Sequence, residues 1–389
     1  MKILMVLPRV PYPLTKGDKL RAYHHIKELS TKHDIILCAL TDEKLHPEAI
    51  SELKKYCISI HIFRLPPLGI FFSIVKAFFT GLPLQVGYFY NKNIEKKILK
   101  VIETSKPDHI FCQLIRVSAY AQKVHNIPKT LDYQDVFSKG VYRRQKKAAL
   151  LFKPVLHLEY KRLLKYEHNV FDEFTHKIII SETDRALIPH PENKKIHVVP
   201  NGVDTDFFSP KETEKIYDLV FTGNMAYPPN INAVEYICKQ ILPLLIKSKP
   251  DIRILIAGTS PAKRIRKLQS KNVIVSGWIN DIRNCYAQSR IFLAPMQIGT
   301  GLQNKLLEAM AMQLPCISSD LANKALNAQD GKEIIIGHTP QAYVDHILNL
   351  LKDDKARNTL ANNGHKFVKE NFKWGSLTDK INTIMETSP

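Results

Sequence analysis

Short runs of β-forming residues alternate with amphipathic stretches along the whole chain. Apolar runs of strand length occur at 2–7, 34–40, 58–63, 108–113, 129–133, 176–181 and 196–199. They recur at 217–222, 252–257, 272–276, 290–295, 315–319 and 333–336. Helical periodicity fills many of the intervals, as at 18–31, 230–248 and 302–312. Strands that are apolar throughout are covered on both faces, and helical crossovers between them keep them parallel. Two such sets in series predict an α/β chain of two doubly wound, Rossmann-like domains. The 389 residues, 44% of them apolar, suffice for two cores. Pro200-Asn201-Gly202, continuing to Ser209-Pro210, breaks regular structure and sets the seam, with domains over 1–200 and 201–374. Open α/β sheets bind ligands beyond the carboxyl ends of their strands. Two such domains facing a central cleft would hold a ligand there.

The segment 290–319 carries the most chemistry. A strand ending Ile291-Phe292-Leu293-Ala294-Pro295 leads into Gln297-Ile298-Gly299-Thr300-Gly301 and then a helix from Leu302 to Met312. Two glycines ahead of a helix let backbone approach a ligand and aim free N–H groups at it. The positive helix end favours phosphate, and Lys305 adds a full charge. Glu308 follows at i+3, on the same face, where a carboxylate can accept from two vicinal hydroxyls of a ribose. Leu306, Ala309 and Met310 form the buried stripe. Gly-x-Gly-x-x-Gly is absent, and Lys305 has no Ser or Thr after it, so neither the dinucleotide fingerprint nor the Walker loop applies.

With these residues in place, Gly-Thr-Gly-Leu-Gln-Asn-Lys-Leu-Leu-Glu-Ala-Met-Ala, residues 299–311, resembles the nucleotide-sugar motif of glycosyltransferase family 4. Val199-Pro200-Asn201-Gly202-Val203-Asp204 resembles that family's interdomain signature, and Phe221-Thr222-Gly223-Asn224-Met225 with Pro229-Asn230 its second-domain opening. Asp281-Ile282 after Gly277 resembles the base-side loop. Phe372-Lys373-Trp374 resembles the turn that returns the last helix, 375–389, to the first domain. Tyr12-Pro13, Lys16-Gly17-Asp18-Lys19, Arg21, and Asp132-Tyr133-Gln134-Asp135 with Ser138 resemble a subgroup associated with bacterial exopolysaccharide assembly and PEP-CTERM sorting.

The resemblance implies a GT-B fold, a nucleoside-diphosphate-sugar donor, retention at the anomeric carbon and transfer without a metal or other cofactor. It implies donor contacts from Gly17, Gly277, Trp278, Gly299, Thr300, Gly301, Leu302, Gln303, Lys305 and Glu308. Catalytic roles are expected of Asp132, Asp135 and Lys305. The sequence departs from the family at Thr300, where a Glu is usual, at Asn224, where an Arg is usual, and at Gln134, near the slot of the first-domain His. Lys305 then becomes the prime cation for the diphosphate, with Lys16, Lys19 and Arg21 as candidates beside Gly17. A sugar-nucleotide epimerase is the rival enzyme.

Net charge is +19, of which +14 lies in residues 1–200 and +5 in 201–389. That bias suits an anionic membrane leaflet or a diphosphate lipid. It also raises a basic nucleic-acid-binding protein, but no recognition motif accompanies the charge and nucleic acid is not expected as a partner. The acceptor is expected to be a lipid-linked glycan. Residues 65–90 hold only Lys76 as a charge and are rich in Phe and Tyr. Pro66, Pro67, Gly69, Gly81 and Pro83 interrupt them too often for a spanning helix. Core packing and a membrane-dipping surface both stay open, the latter supported by Arg143, Arg144, Lys146, Lys147, Lys161, Arg162 and Lys165. Six scattered cysteines form neither a zinc knuckle nor a redox pair, and buried thiols point to the cytosol, with peripheral contact at the inner membrane. Asp204-Thr205-Asp206 imitates a metal-binding pair but falls in the interdomain turn. His24-His25 points to two helix faces and reads as ordinary packing.

Overall fold

The computed structural model describes residues 1–299 and 301–387. The chain divides into two units, Met1–Pro200 with Leu377 onward, and Asn201–Ser376. The first contains strands β1 (Lys2–Leu7), β2 (Asp34–Thr41), β3 (Cys57–Arg64), β4 (His109–Gln113), β5 (Lys129–Asp132), β6 (His176–Ile179) and β7 (His197–Val198). They form one parallel sheet in the order β3-β2-β1-β4-β5-β6-β7. Its functional helices are α1 (Gly17–Leu29), α2 (Pro67–Thr80), α3 (Leu84–Phe89), α4 (Phe137–Lys147) and α5 (Lys153–Asp172).

Alternation along β1 divides the core. Ile3, Met5 and Leu7 face one cluster, while Leu4 and Val6 face the other, and all are at most 1% exposed. Burying each such side chain contributes about 1.5–3 kcal/mol, which explains why these strands are apolar on both faces. His24 and His25 are both buried, and His25 Nδ1 lies 3.2 Å from Thr378 Oγ1.

The second unit contains β8 (Tyr217–Thr222), β9 (Ile254–Ala257), β10 (Val273–Gly277), β11 (Ser289–Ala294), β12 (Cys316–Ser318) and β13 (Ile335–Ile336). Their order is β10-β9-β8-β11-β12-β13, again all parallel. Helix α6 (Pro228–Tyr236) runs through a π turn at Ile237–Ile241 into Leu242–Ser248. Pro243 has no N–H to give to the preceding turn, a local cause for the widened ladder. Helix α7 (Asn304–Ala311) starts two residues later than the sequence pattern predicts, leaving Leu302 and Gln303 in the loop. Gln303, at φ −92° and ψ 95°, is extended, so the helix cannot begin before Asn304.

The turn at Phe372 closes on the unit's own first residues. Val203 N donates to Phe372 O at 2.8 Å, and a Cβ on Gly202 would lie 2.8 Å from the Trp374 ring. Helix α8 (Trp374–Glu386) follows. Its Leu377, Ile381, Ile384 and Met385, on one stripe, join the first unit's core.

The aromatic stretch 65–90 divides: Leu65 and Phe89 are buried in the first unit's core, whereas helix α2 is not. Helix α2 buries only Ala77 and leaves Phe71, Phe72, Phe78 and Phe79 exposed, so core packing is not its role. Arg162 and the backbone of α2 meet at the helix end, described below. Among the described residues no helix is long and apolar enough to cross a membrane.

Candidate active site

In the second sheet, β8 is the first strand in sequence and β11 lies beside it as the fourth. Connections leave these two strands toward opposite faces, which opens a crevice at their carboxyl ends. Gly299, the Gly223 turn and the start of α7 converge there.

Glycine is required by geometry at this point. Gly258, at φ 146°, lies so close to Gly223 that a Cβ would come within 1.7 Å of the Gly223 carbonyl oxygen. A Cβ on Gly223 would lie 2.6 Å from Asn230 Nδ2 and 3.1 Å from Lys305 Nζ. Gly299, at φ 116°, completes the bend in the loop.

Lys305 Nζ donates to Asn230 Oδ1 at 2.5 Å and lies 4.3 Å from the centroid of the Phe221 ring. Asn230 Nδ2 donates in turn to Asn224 O at 3.0 Å. Burial pulls the Lys305 ammonium down to about 7, opposed by the Glu308 charge. Glu308 Oε2 accepts from the Tyr286 hydroxyl at 2.6 Å, and that hydroxyl lies 2.8 Å from Thr222 Oγ1. Burial raises the Glu308 carboxyl, while Tyr286 and Lys305 favour its ionised form. Beneath them Leu306, Leu307, Ala309 and Met310 are buried, which fixes the helix. The result is a cation and a carboxylate on one helix face, each held by a side chain from another element.

The base-side residues lie further along the same sheet. Gly277 takes φ 71°, and Trp278 is 63% exposed with its Nε1 donating to Asn280. Asp281 binds Arg283 and Lys211, and the Arg283 hydrogen bond holds its carboxyl down at about 2. Thr300 lies outside the described residues.

The first-domain candidates lie at the start of α1, after β1, and at the end of β5. Gly17 opens α1, and a Cβ there would meet nothing within 4 Å. The neighbouring cations are already engaged. Lys16 and Lys19 both approach Glu43, at 2.8 and 3.6 Å. Arg21 is fully buried and meets both oxygens of Asp132, at 2.6 and 3.3 Å, with a further bond to Pro200 O. Burial raises the Asp132 carboxyl, and Arg21 works against that rise. Asp132 is therefore placed as one half of an interior ion pair rather than as an open carboxylate. Asp135 stays exposed, with Oδ1 accepting from Val136 N. Gln134 between them is buried at φ 56°.

Asp204 Oδ1 accepts from the amides of Asp206 and Phe207, a local turn. Among the described residues no group of three or more His, Cys, Asp or Glu side chains is placed to hold a metal. Sequence reasoning did not assign Asn230 and Tyr286 to the site. Asn230 stood in a recognised segment, but its partner is 75 residues away, and Tyr286 carried no signal at all.

Residues 217–353 match the family model described as Glycosyl transferases group 1. That segment of the second unit is similar to the group 1 glycosyltransferases. The match starts at β8 and includes the whole crevice just described. Over nearly its full length the chain is 23% identical over 398 residues to a Klebsiella pneumoniae protein described as "Uncharacterized 44.6 kDa protein in cps region", covering 95% of this chain and 96% of that one. It is 30% identical over 239 residues to the Escherichia coli UDP-Gal:alpha-D-GlcNAc-diphosphoundecaprenol alpha-1,3-galactosyltransferase, covering 52% of this chain and 60% of the enzyme. The solved structure of Anabaena Alr3699/HepE in complex with UDP superposes with a TM-score of 0.72 at 13% identity, covering 98% of this chain and 99% of that one. The fold is that of the GT-B glycosyltransferases, and the chain is an enzyme of glycosyl transfer.

Proposed function

We propose that the chain transfers a sugar from a nucleoside-diphosphate donor, with retention, to a lipid-linked glycan in surface polysaccharide synthesis. A uridine donor is favoured by the UDP-galactose enzyme of Escherichia coli and by the UDP complex of the structurally similar Anabaena Alr3699/HepE. The lipid-linked acceptor is favoured by the diphosphoundecaprenol acceptor of the Escherichia coli relative and by the basic first half. Nothing in these matches reaches the PEP-CTERM subgroup, which stays part of this proposal on the strength of its first-domain motifs alone.

The observation that carries the reading is the pair Lys305 and Glu308, held by Asn230 and Tyr286 at the switch point of the second sheet. Glu308 accepts from the ribose hydroxyls. Lys305 and the backbone amides of the glycine loop face the diphosphate. As the bond from the anomeric carbon to the diphosphate oxygen breaks, that oxygen gains charge, and a fixed ammonium stabilises it more in the transition state than in the ground state. The acceptor hydroxyl forms the new bond and gives up its proton, for which exposed Asp135 is the candidate carboxylate in the first domain. Because Lys305 supplies the positive charge, no divalent metal is required. Gly17, Gly277, Trp278, Leu302, Gln303 and Thr300 complete the proposed donor contacts.

Thermal shift with UDP, GDP, ADP and their sugars tests this. A nucleotide at 100 times its dissociation constant stabilises a folded protein by about 2.7 kcal/mol. Selective stabilisation by UDP and a UDP-sugar is expected, undiminished in EDTA. No shift with any nucleotide, or transfer that depends on added manganese, counts against the reading.

A further inference from the structure

Helix α2 turns its apolar stripe to solvent. Leu68, Phe71, Phe72, Val75 and Phe79 follow an i, i+3, i+4, i+7, i+11 spacing and share one face. Exposure along that face runs from 39% at Val75 to 80% at Phe79. A second apolar projection lies where the chain enters α5: Leu150, Leu151 and Phe152 are 81%, 82% and 61% exposed. A contiguous apolar face of this kind marks an interaction site on a folded domain.

Arg162 ties α5 to the end of α2. Its guanidinium donates to the carbonyls of Ala77, Phe78 and Leu82 and lies 5.4 Å from the Phe78 ring centroid. Leu158 and Val155, one and two turns earlier on α5, share its face. Behind these contacts is a cavity of about 540 Å³ walled by α2, α3 and α5. Lys76, Lys92, Arg162 and Lys165 line it, and no carboxylate does. Glu159 on α5 does not line it and accepts from the amides of Leu84 and Gln85. Lys76, Lys92 and Lys165 form no ion pair among the described residues.

A second copy of the chain is a poor occupant, since pairing would bring two basic rims together. An anionic bilayer answers both features at once. Phenylalanine and leucine enter the acyl boundary of an interfacial helix, and lysines beside it meet lipid phosphate. We propose that α2 and the turn at 150–152 dock on an anionic membrane, and that the cavity takes the phosphate of a lipid headgroup on Lys76, Lys92 and Lys165. This deepens the membrane part of the functional reading and is independent of the donor site.

Flotation of the full chain with phosphatidylcholine vesicles, with and without phosphatidylglycerol, tests it. Binding is expected to be about tenfold or more tighter to the anionic vesicles and to weaken with salt. Phe72→Ser/Phe79→Ser abolishes binding to both vesicle types. Lys76→Gln/Lys165→Gln removes the anionic preference, and both variants keep wild-type UDP affinity and melting temperature. If the variants float like wild type, the protein uses another surface and this proposal fails while the membrane reading survives. If wild type binds no vesicle, both fail and UDP binding still judges the transferase reading. Inorganic phosphate at matched ionic strength should displace wild type from anionic vesicles more readily than Lys76→Gln/Lys165→Gln; equal displacement of the two overturns the headgroup assignment.

Discussion

Tyr286 donates a 2.6 Å hydrogen bond to Glu308, tying the helix behind β10 to the helix that carries the candidate site. The same hydroxyl lies 2.8 Å from Thr222 Oγ1 at the end of β8. The carboxylate is thus aimed before any nucleotide arrives, and such preorganisation reduces the cost of binding. Tyr286→Phe should weaken uridine and UDP alike, because it releases Glu308 without touching the diphosphate contact. A hydrogen bond to a charged group contributes about 1.5–3 kcal/mol, and the indirect effect should reach the lower part of that range. Calorimetry with both ligands measures it. A loss confined to UDP would contradict the assignment of Glu308 to the ribose.

Lys305 and Glu308, one turn apart, should separate by ligand. Glu308→Ala is expected to weaken UMP and UDP about tenfold or more, from the same hydrogen-bond magnitude. Lys305→Ala should weaken UDP far more than uridine and also lower kcat, since the leaving charge grows in the transition state. Unchanged affinity in both variants would mean that the helix serves packing alone.

Binding should carry a proton. The Lys305 ammonium, lowered by burial to about 7, is largely neutral at pH 8 in the free protein. A diphosphate beside it raises its pKa, so the complex holds a proton that the free protein lacks. The stabilisation is fully present below the free value of about 7 and is lost as pH rises through the higher value in the complex. Calorimetry of UDP binding at pH 8, in two buffers of different ionisation heat, should reveal proton uptake. Lys305→Met should abolish that uptake.

The Arg21–Asp132 pair should behave as structure. Both side chains are fully buried. Asp132→Asn strands a buried guanidinium, and breaking such a pair costs about 3–5 kcal/mol. Arg21→Met/Asp132→Leu, which removes both charges, should cost less. Urea unfolding of the three proteins gives the comparison. An Asp132→Asn protein of wild-type stability that has lost turnover would instead return Asp132 to the chemistry.

Much of this protein is determined locally. Apolar runs such as Ile3–Leu7 and Leu219–Phe221 specify strands buried on both faces, because they are too short for a buried helix and a strand covered on both faces removes every side chain from water. The glycines at 299 and 301 specify a loop that only their positive φ permits, and the helix after them places Lys305 and Glu308 one turn apart. Tertiary structure decided which of these groups are held for a ligand and which hold each other. Arg21 and Asp132, 111 residues apart, stood in the sequence as two free candidates and meet inside the first unit. Asn230 and Tyr286 reach the site from helices whose own patterns say nothing of it. The stripe on α2 is visible as periodicity, yet periodicity defines a face without saying what covers it. Local sequence sets each backbone's conformation within a few residues, whereas the partner of a side chain is chosen by the topology that brings distant strands and helices together.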